Sequence, residues 1–140
     1  DTLWITFEAT CPDIFIDVAD LYIYKFPVFM KRIIDEALFA NPNRKTALSL
    51  PESVGMIGEA VVDTRVYYPG EKTVFRKPAE SHQHNAYFDF DVTVSEKPRE
   101  INLTRRFSLH AMDVAPEQFP VYKQEVEKLY KQDACTLVLQ

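Results

Sequence analysis

Glycine is scarce in this chain. Only Gly55, Gly58 and Gly70 occur among 140 residues, too few for a Gly-rich phosphate loop, so a nucleotide site is not expected. Cysteine is nearly absent as well. Cys11 and Cys135 stand near opposite ends, which permits one disulfide but sets out no framework. A bridge requires the first and last strands to be neighbours within disulfide reach; the simpler expectation is two buried thiols. Clustered positive charge is missing too. Basic residues come as pairs such as Lys31-Arg32 and Arg105-Arg106 against a net charge of −5, and nucleic acid, whose phosphates demand a basic patch, is not an expected partner. No apolar run approaches the roughly 18 residues that cross a bilayer, so no transmembrane segment is expected.

What the chain has is apolar content. At 46% hydrophobic and 13% aromatic, 140 residues can bury a core as one domain, residues 1–140, without staples. It opens "DTLWITFEAT" with neither a methionine nor a signal-peptide pattern and enters apolar alternation at once. The expectation is a processed protein or, preferably, a segment excised from a larger multidomain one.

Period-two alternation marks three strands. In "GEAVVDTRVYYPG", Ala60, Val62, Thr64, Val66 and Tyr68 share one face, and Pro69-Gly70 ends the run with a turn. "AYFDFDVTV" and "REINLTRRFSLHA" alternate in the same way, and the linker "SEKPR" between them reads as a hairpin loop. Arg105 interrupts the apolar face of the second, which marks a bulge or an ion pair. "TLWITFEA" and "DIFIDVADLYIY" read as extended, and "CTLVL" as a closing strand. Spacings of three and four predict two helices, "FPVFMKRIIDEALFANPN" and "PEQFPVYKQEVEKLYKQ". The fold class expected is mainly β: an antiparallel β-sandwich, immunoglobulin-like, fibronectin-like or related, with two flanking α-helices.

Candidate chemistry centres on "SHQHN". His82 and His84 project from one face of an extended segment, and neutral imidazoles are common zinc ligands. A metal site needs a third group, for which His110, Glu80, Asp89 or Asp91 are available, but no known spacing ties them together. The simpler reading is a solvated polar loop entering a strand. Asp89 and Asp91 share a strand face, as acid–base or calcium-binding carboxylates do, and equally as the wet side of an amphipathic strand does. Cys11 sits beside Glu8 and Asp13, a poor setting for a nucleophilic thiol. Seven tyrosines and Trp4 could stack on a sugar; scattered aromatics more often fill a core.

From "NPNRKTALSLP" to the last residue the order of features is distinctive. Asn41-Pro42-Asn43-Arg44 leads into a strand ending in proline, followed by a long strand with a Tyr-Pro-Gly turn and the basic stretch "TVFRKP". Two amphipathic strands, the helix "FPVYKQEVEKL" and the terminal "DACTLVL" complete it. This order, over about 100 of the 140 residues, resembles the C-terminal domain of bacterial transglutaminase-like proteins, in which a β-domain and a papain-like core come first. Most of the match rests on Phe119, Tyr122, Val126, Leu129, Asp133 and Val138; "PESVGMIGEA" departs from the family's usual glycine-tyrosine element. The resemblance implies that the Cys-His-Asp chemistry lies in an upstream domain, since no residue here matches that triad. It further implies a non-catalytic accessory domain without a cofactor, partnered by neighbouring domains of its own polypeptide, in a periplasmic, envelope or secreted setting. The alternative from another class is a free-standing ligand- or metal-binding module that uses His82 and His84.

Overall fold

The computed structural model describes residues 3–10, 14–41, 43–53 and 58–140. In chain order its elements are β1 (Ile16–Val18), β2 (Leu21–Lys25), α1 (Met30–Ile33), β3 (Leu48–Ser49), α2 (Leu50–Ser53), β4 (Glu59–Tyr67) and β5 (Val74–Arg76). There follow β6 (Ser81–His84), β7 (Phe88–Lys97), β8 (Glu100–Leu109), β9 (Asp113–Val114), α3 (Phe119–Asp133) and β10 (Thr136–Leu139). The fold is mainly β, with two four-stranded sheets ordered β1-β2-β10-β5 and β4-β8-β7-β6, and a two-stranded β3-β9 pair. Every pairing among them is antiparallel.

The long strands follow their sequence pattern. β7 and β8 pair from Phe88↔Leu109 to Lys97↔Glu100, so only Pro98 and Arg99 remain for the turn. Arg99 takes a positive φ of 63° there, and the "SEKPR" loop is shorter than expected. Alternation sends Phe88, Phe90, Val92, Ile101, Leu103 and Phe107 inward, where all are fully buried. They meet Leu137 and Leu139 of the first sheet and the stripe Phe119, Tyr122, Val126 and Leu129 of α3 in one core. Burial at roughly 25 cal/mol per Å² of apolar surface makes this face the main stabilising element.

Both expected helical regions are present, but they differ in extent. α3 runs as its periodicity predicts. The first is shortened to the single turn of α1 and a 3-10 turn over Glu36–Phe39. Ile34 turns extended, at φ −107° and ψ 112°, and the Asp35 carboxylate accepts the Ala37 N–H at 2.9 Å to start the second turn. Met30 and Ile34 are buried all the same, so the spacing reported burial correctly and continuity wrongly. Ile34 is held where the helix breaks, because the Tyr130 hydroxyl donates to its carbonyl at 2.7 Å.

Two further expectations change. "DIFIDVADLYIY" is not one extended run but a hairpin, β1 paired with β2 through a turn at Ala19-Asp20, where Ala19 adopts φ 56°. Of "TLWITFEA", the described residues form no strand: residues 3–10 are exposed and unpaired in any sheet. Among the described residues no helix is long and apolar enough to cross a membrane.

Candidate functional site

Within "SHQHN", Ser81–His84 form an edge strand rather than the loop expected. β6 pairs with β7 in the register Ser81↔Val92, His82↔Asp91, Gln83↔Phe90 and His84↔Asp89. Gln83 explains why a polar segment is held as a strand. It turns inward, nearly buried, and its amide donates to the Glu125 carbonyl and carboxylate of α3, both at 2.9 Å. Alternation then points His82 and His84 outward.

On that outer face the register sets each histidine opposite an aspartate. His82 Nδ1 lies 3.0 Å from Asp91 Oδ1, and His84 Nδ1 lies 2.8 Å from Asp89 Oδ1. His110, just past the end of β8, brings its Nε2 to 2.8 Å from the same Asp89 oxygen. All three histidines of the chain therefore gather around two carboxylates contributed by one strand. Burial raises the Asp89 pKa, but hydrogen bonds from His110 and His84, with their charges, outweigh it and hold the carboxyl below its ordinary value.

These residues are the available donors for a cation on this face. They meet each other at hydrogen-bond distance instead of surrounding a shared point, whereas zinc takes nitrogen ligands at roughly 2.0–2.1 Å. Among the described residues no group of three or more histidine, cysteine or carboxylate side chains has metal-holding geometry.

A titration follows from the Asp89 contacts. A carboxyl with a depressed folded pKa contributes stability above its unfolded value, near 3.9, and loses it as pH falls through the folded value. The carboxyl NMR midpoint of Asp89 is therefore expected below that of an ordinary aspartate. Replacing His84 and His110 together by alanine moves it upward; an unchanged midpoint contradicts the pairing.

A second polar constellation lies inside. Arg105 and Asp133 are 2% and 0% exposed, joined by Nη1 to Oδ1 at 2.9 Å. Asp133 Oδ2 also accepts the backbone N–H groups of Phe29 and Met30, at 2.6 and 2.7 Å. Arg105 donates to the Pro27 carbonyl at 2.7 Å and, through Nη2, to Thr64 Oγ1 at 3.3 Å, while its Nε has no partner. One ion pair thus ties the middle of β8, the end of α3, the start of α1 and β4 together. Arg105 flagged itself by breaking an apolar face. Asp133 stood out only as part of the family resemblance and not as the partner of Arg105, although its spacing on the Tyr122, Val126, Leu129 stripe of α3 places it on the buried side.

The remaining candidates do not join either group. Glu80 accepts the Val94 N–H at 2.9 Å, so its carboxylate is committed to the backbone. Cys135 carries a free, buried thiol that donates to the Gln132 carbonyl at 3.3 Å. Burial pushes its pKa up, which disfavours the thiolate a nucleophile needs. Cys11, and with it the bridge to Cys135, lies outside the described residues. Tyr68, Tyr87 and Tyr122 are core, whereas Trp4 is 85% exposed.

No curated protein sequence matches this chain. Residues 20–139 match DUF3858, a domain of unknown function with a solved structure. The chain belongs to the DUF3858 family. Both polar constellations fall within the DUF3858 region, and residues 1–19 fall outside it. The fold is similar to a crystal structure described as that of "a putative protease" from Parabacteroides distasonis ATCC 8503, with a TM-score of 0.62 and 15% identity. The similarity covers 86% of this chain and 24% of that one. The DUF3858 chain thus spans about a quarter of the length of the Parabacteroides protein, and at this identity the likeness concerns the fold alone.

Proposed function

We propose that this DUF3858 domain is a non-catalytic accessory domain of a longer, transglutaminase-like polypeptide of the cell envelope or secreted space, with the reacting cysteine and histidine in an upstream domain. The observation that carries this reading is the size relation: a fold of this kind accounts for a quarter of a much longer protein. The sequence resemblance to the domain that follows a papain-like core points the same way. A papain-like transglutaminase and a cysteine protease would share one chemistry, attack of a thiolate on an acyl carbon. The polar side chains of the domain have structural work. Arg105 and Asp133 clamp its elements, Gln83 joins an edge strand to α3, and the histidines pair across strands.

A second reading, a metal-binding module, is favoured by one observation, the gathering of His82, His84 and His110 around Asp89 and Asp91. Metal analysis of protein purified without a histidine tag separates the two. Well under one equivalent of zinc is expected, with alanine at His82 and His84 leaving the melting temperature and any activity of the long polypeptide intact. One retained equivalent, lost in those variants, establishes the module and sinks the accessory reading.

A further inference from the structure

Among the described residues, 3–10 and 14–18 carry apolar surface that the domain leaves uncovered. Leu3, Trp4, Ile5 and Phe7 are 80–86% exposed, and Ile14, Ile16 and Val18, later in the chain, are exposed as well. Single exposed apolar residues are ordinary, but a consecutive set of large ones marks an interaction surface. The pattern is that of a strand: Leu3, Ile5 and Phe7 fall on one face in alternation with Trp4 and Thr6. No sheet of this domain takes residues 3–10 as a strand. β1, which follows, is the edge of its own sheet and is exposed along its whole length. The DUF3858 match begins only at Asp20, after this element.

We infer that residues 3–10 are a docking element, with residues 3–8 adding as a strand to an open sheet edge of an adjoining domain of the same polypeptide. This inference rests on the accessory-domain reading. Backbone pairing supplies the attraction, and an apolar face beneath receives Leu3, Ile5 and Phe7. Charge defines the receiving edge further. Residues 3–18, the element and the stretch that follows it, contain three acidic side chains and no lysine or arginine, so two copies repel each other, and the complementary edge carries basic residues. Covalent linkage favours a neighbouring domain over a diffusing partner by raising its effective concentration.

Hydrogen exchange of the amides of residues 3–8 tests this, read in the 140-residue chain and in the native long polypeptide. Exchange at the rate of an open peptide is expected in the isolated chain, and exchange at least about 100-fold slower in the long one. Ile5→Asp with Phe7→Asp should restore fast exchange there while β7 and β8 stay protected. Free exchange in the long polypeptide overturns the docking, as does protection in the isolated chain that grows with protein concentration, which would make a second copy the occupant. A native polypeptide no longer than this chain removes the accessory reading itself, a failure visible from its mass before exchange is measured.

Discussion

Replacing Asp133 with alanine should cost about 3–5 kcal/mol, a large share of the roughly 5–15 kcal/mol that holds a typical domain folded. The size follows from what the carboxylate holds. One oxygen receives the Phe29 and Met30 N–H groups and the other receives Arg105. Alanine therefore strands a guanidinium that is 2% exposed, leaves two backbone donors at the start of α1 without their acceptor, and opens a void. The pair need not be a large net stabiliser to produce this loss, since removing one partner of a buried pair costs far more than the intact pair contributes.

The double variant Arg105→Met with Asp133→Ala separates the parts. Removing the stranded charge should recover some of the loss, giving a coupling energy of about 0.5–3 kcal/mol, while the cost of the two N–H groups persists. Denaturant unfolding of the four proteins measures the cycle. A loss below about 1 kcal/mol for Asp133→Ala would show that the clamp is not what holds α1 to α3.

Phe107→Ala should cost about as much, about 3–5 kcal/mol, for a different reason. Phe107 has no exposed surface and lies toward the end of β8, opposite Ala60 on one side and Phe90 on the other. Its ring sits 5.7 Å from that of Phe88. Alanine removes most of a side chain from the shared core, and strands paired on both sides cannot collapse into the gap. A fall of roughly 10–20 °C in melting temperature is the expected reading. Val121→Ala, on the exposed side of α3, serves as the control and should change stability by no more than about 0.5 kcal/mol. Equal effects from the two would contradict the placement of the core.

The β4, β7 and β8 strands and α3 were legible because each has a buried and a wet face over many residues, and that asymmetry is what periodicity reports. "FPVFMKRIIDEALFANPN" was misleading for the same reason. Its spacing records which side chains are buried, whereas the break at Ile34 comes from acceptors and donors far along the chain, Asp133 and Tyr130. The β1–β2 turn gave little warning, since Ala19 holds a positive φ that glycine or asparagine usually occupies.

The site divides likewise. His82, His84, Asp89 and Asp91 were singled out from spacing, and the structure brings them together with His110, but only the β6–β7 register shows which histidine faces which aspartate. Gln83 decided that the segment is a strand, through a contact with Glu125 that is 42 residues distant in sequence. "TLWITFEA" shows the converse case. Its alternation is genuine strand pattern, yet nothing within the described domain pairs with it.

The accessory role is tested most directly by the mass of the native polypeptide that carries this sequence, read by immunoblot of source cells with an antibody raised against the domain. The predicted result is one band far heavier than the 16.2 kDa of this chain, with catalytic chemistry mapping outside it. A single band near 16.2 kDa would contradict an accessory domain and turn attention to the face formed by His82, His84 and His110.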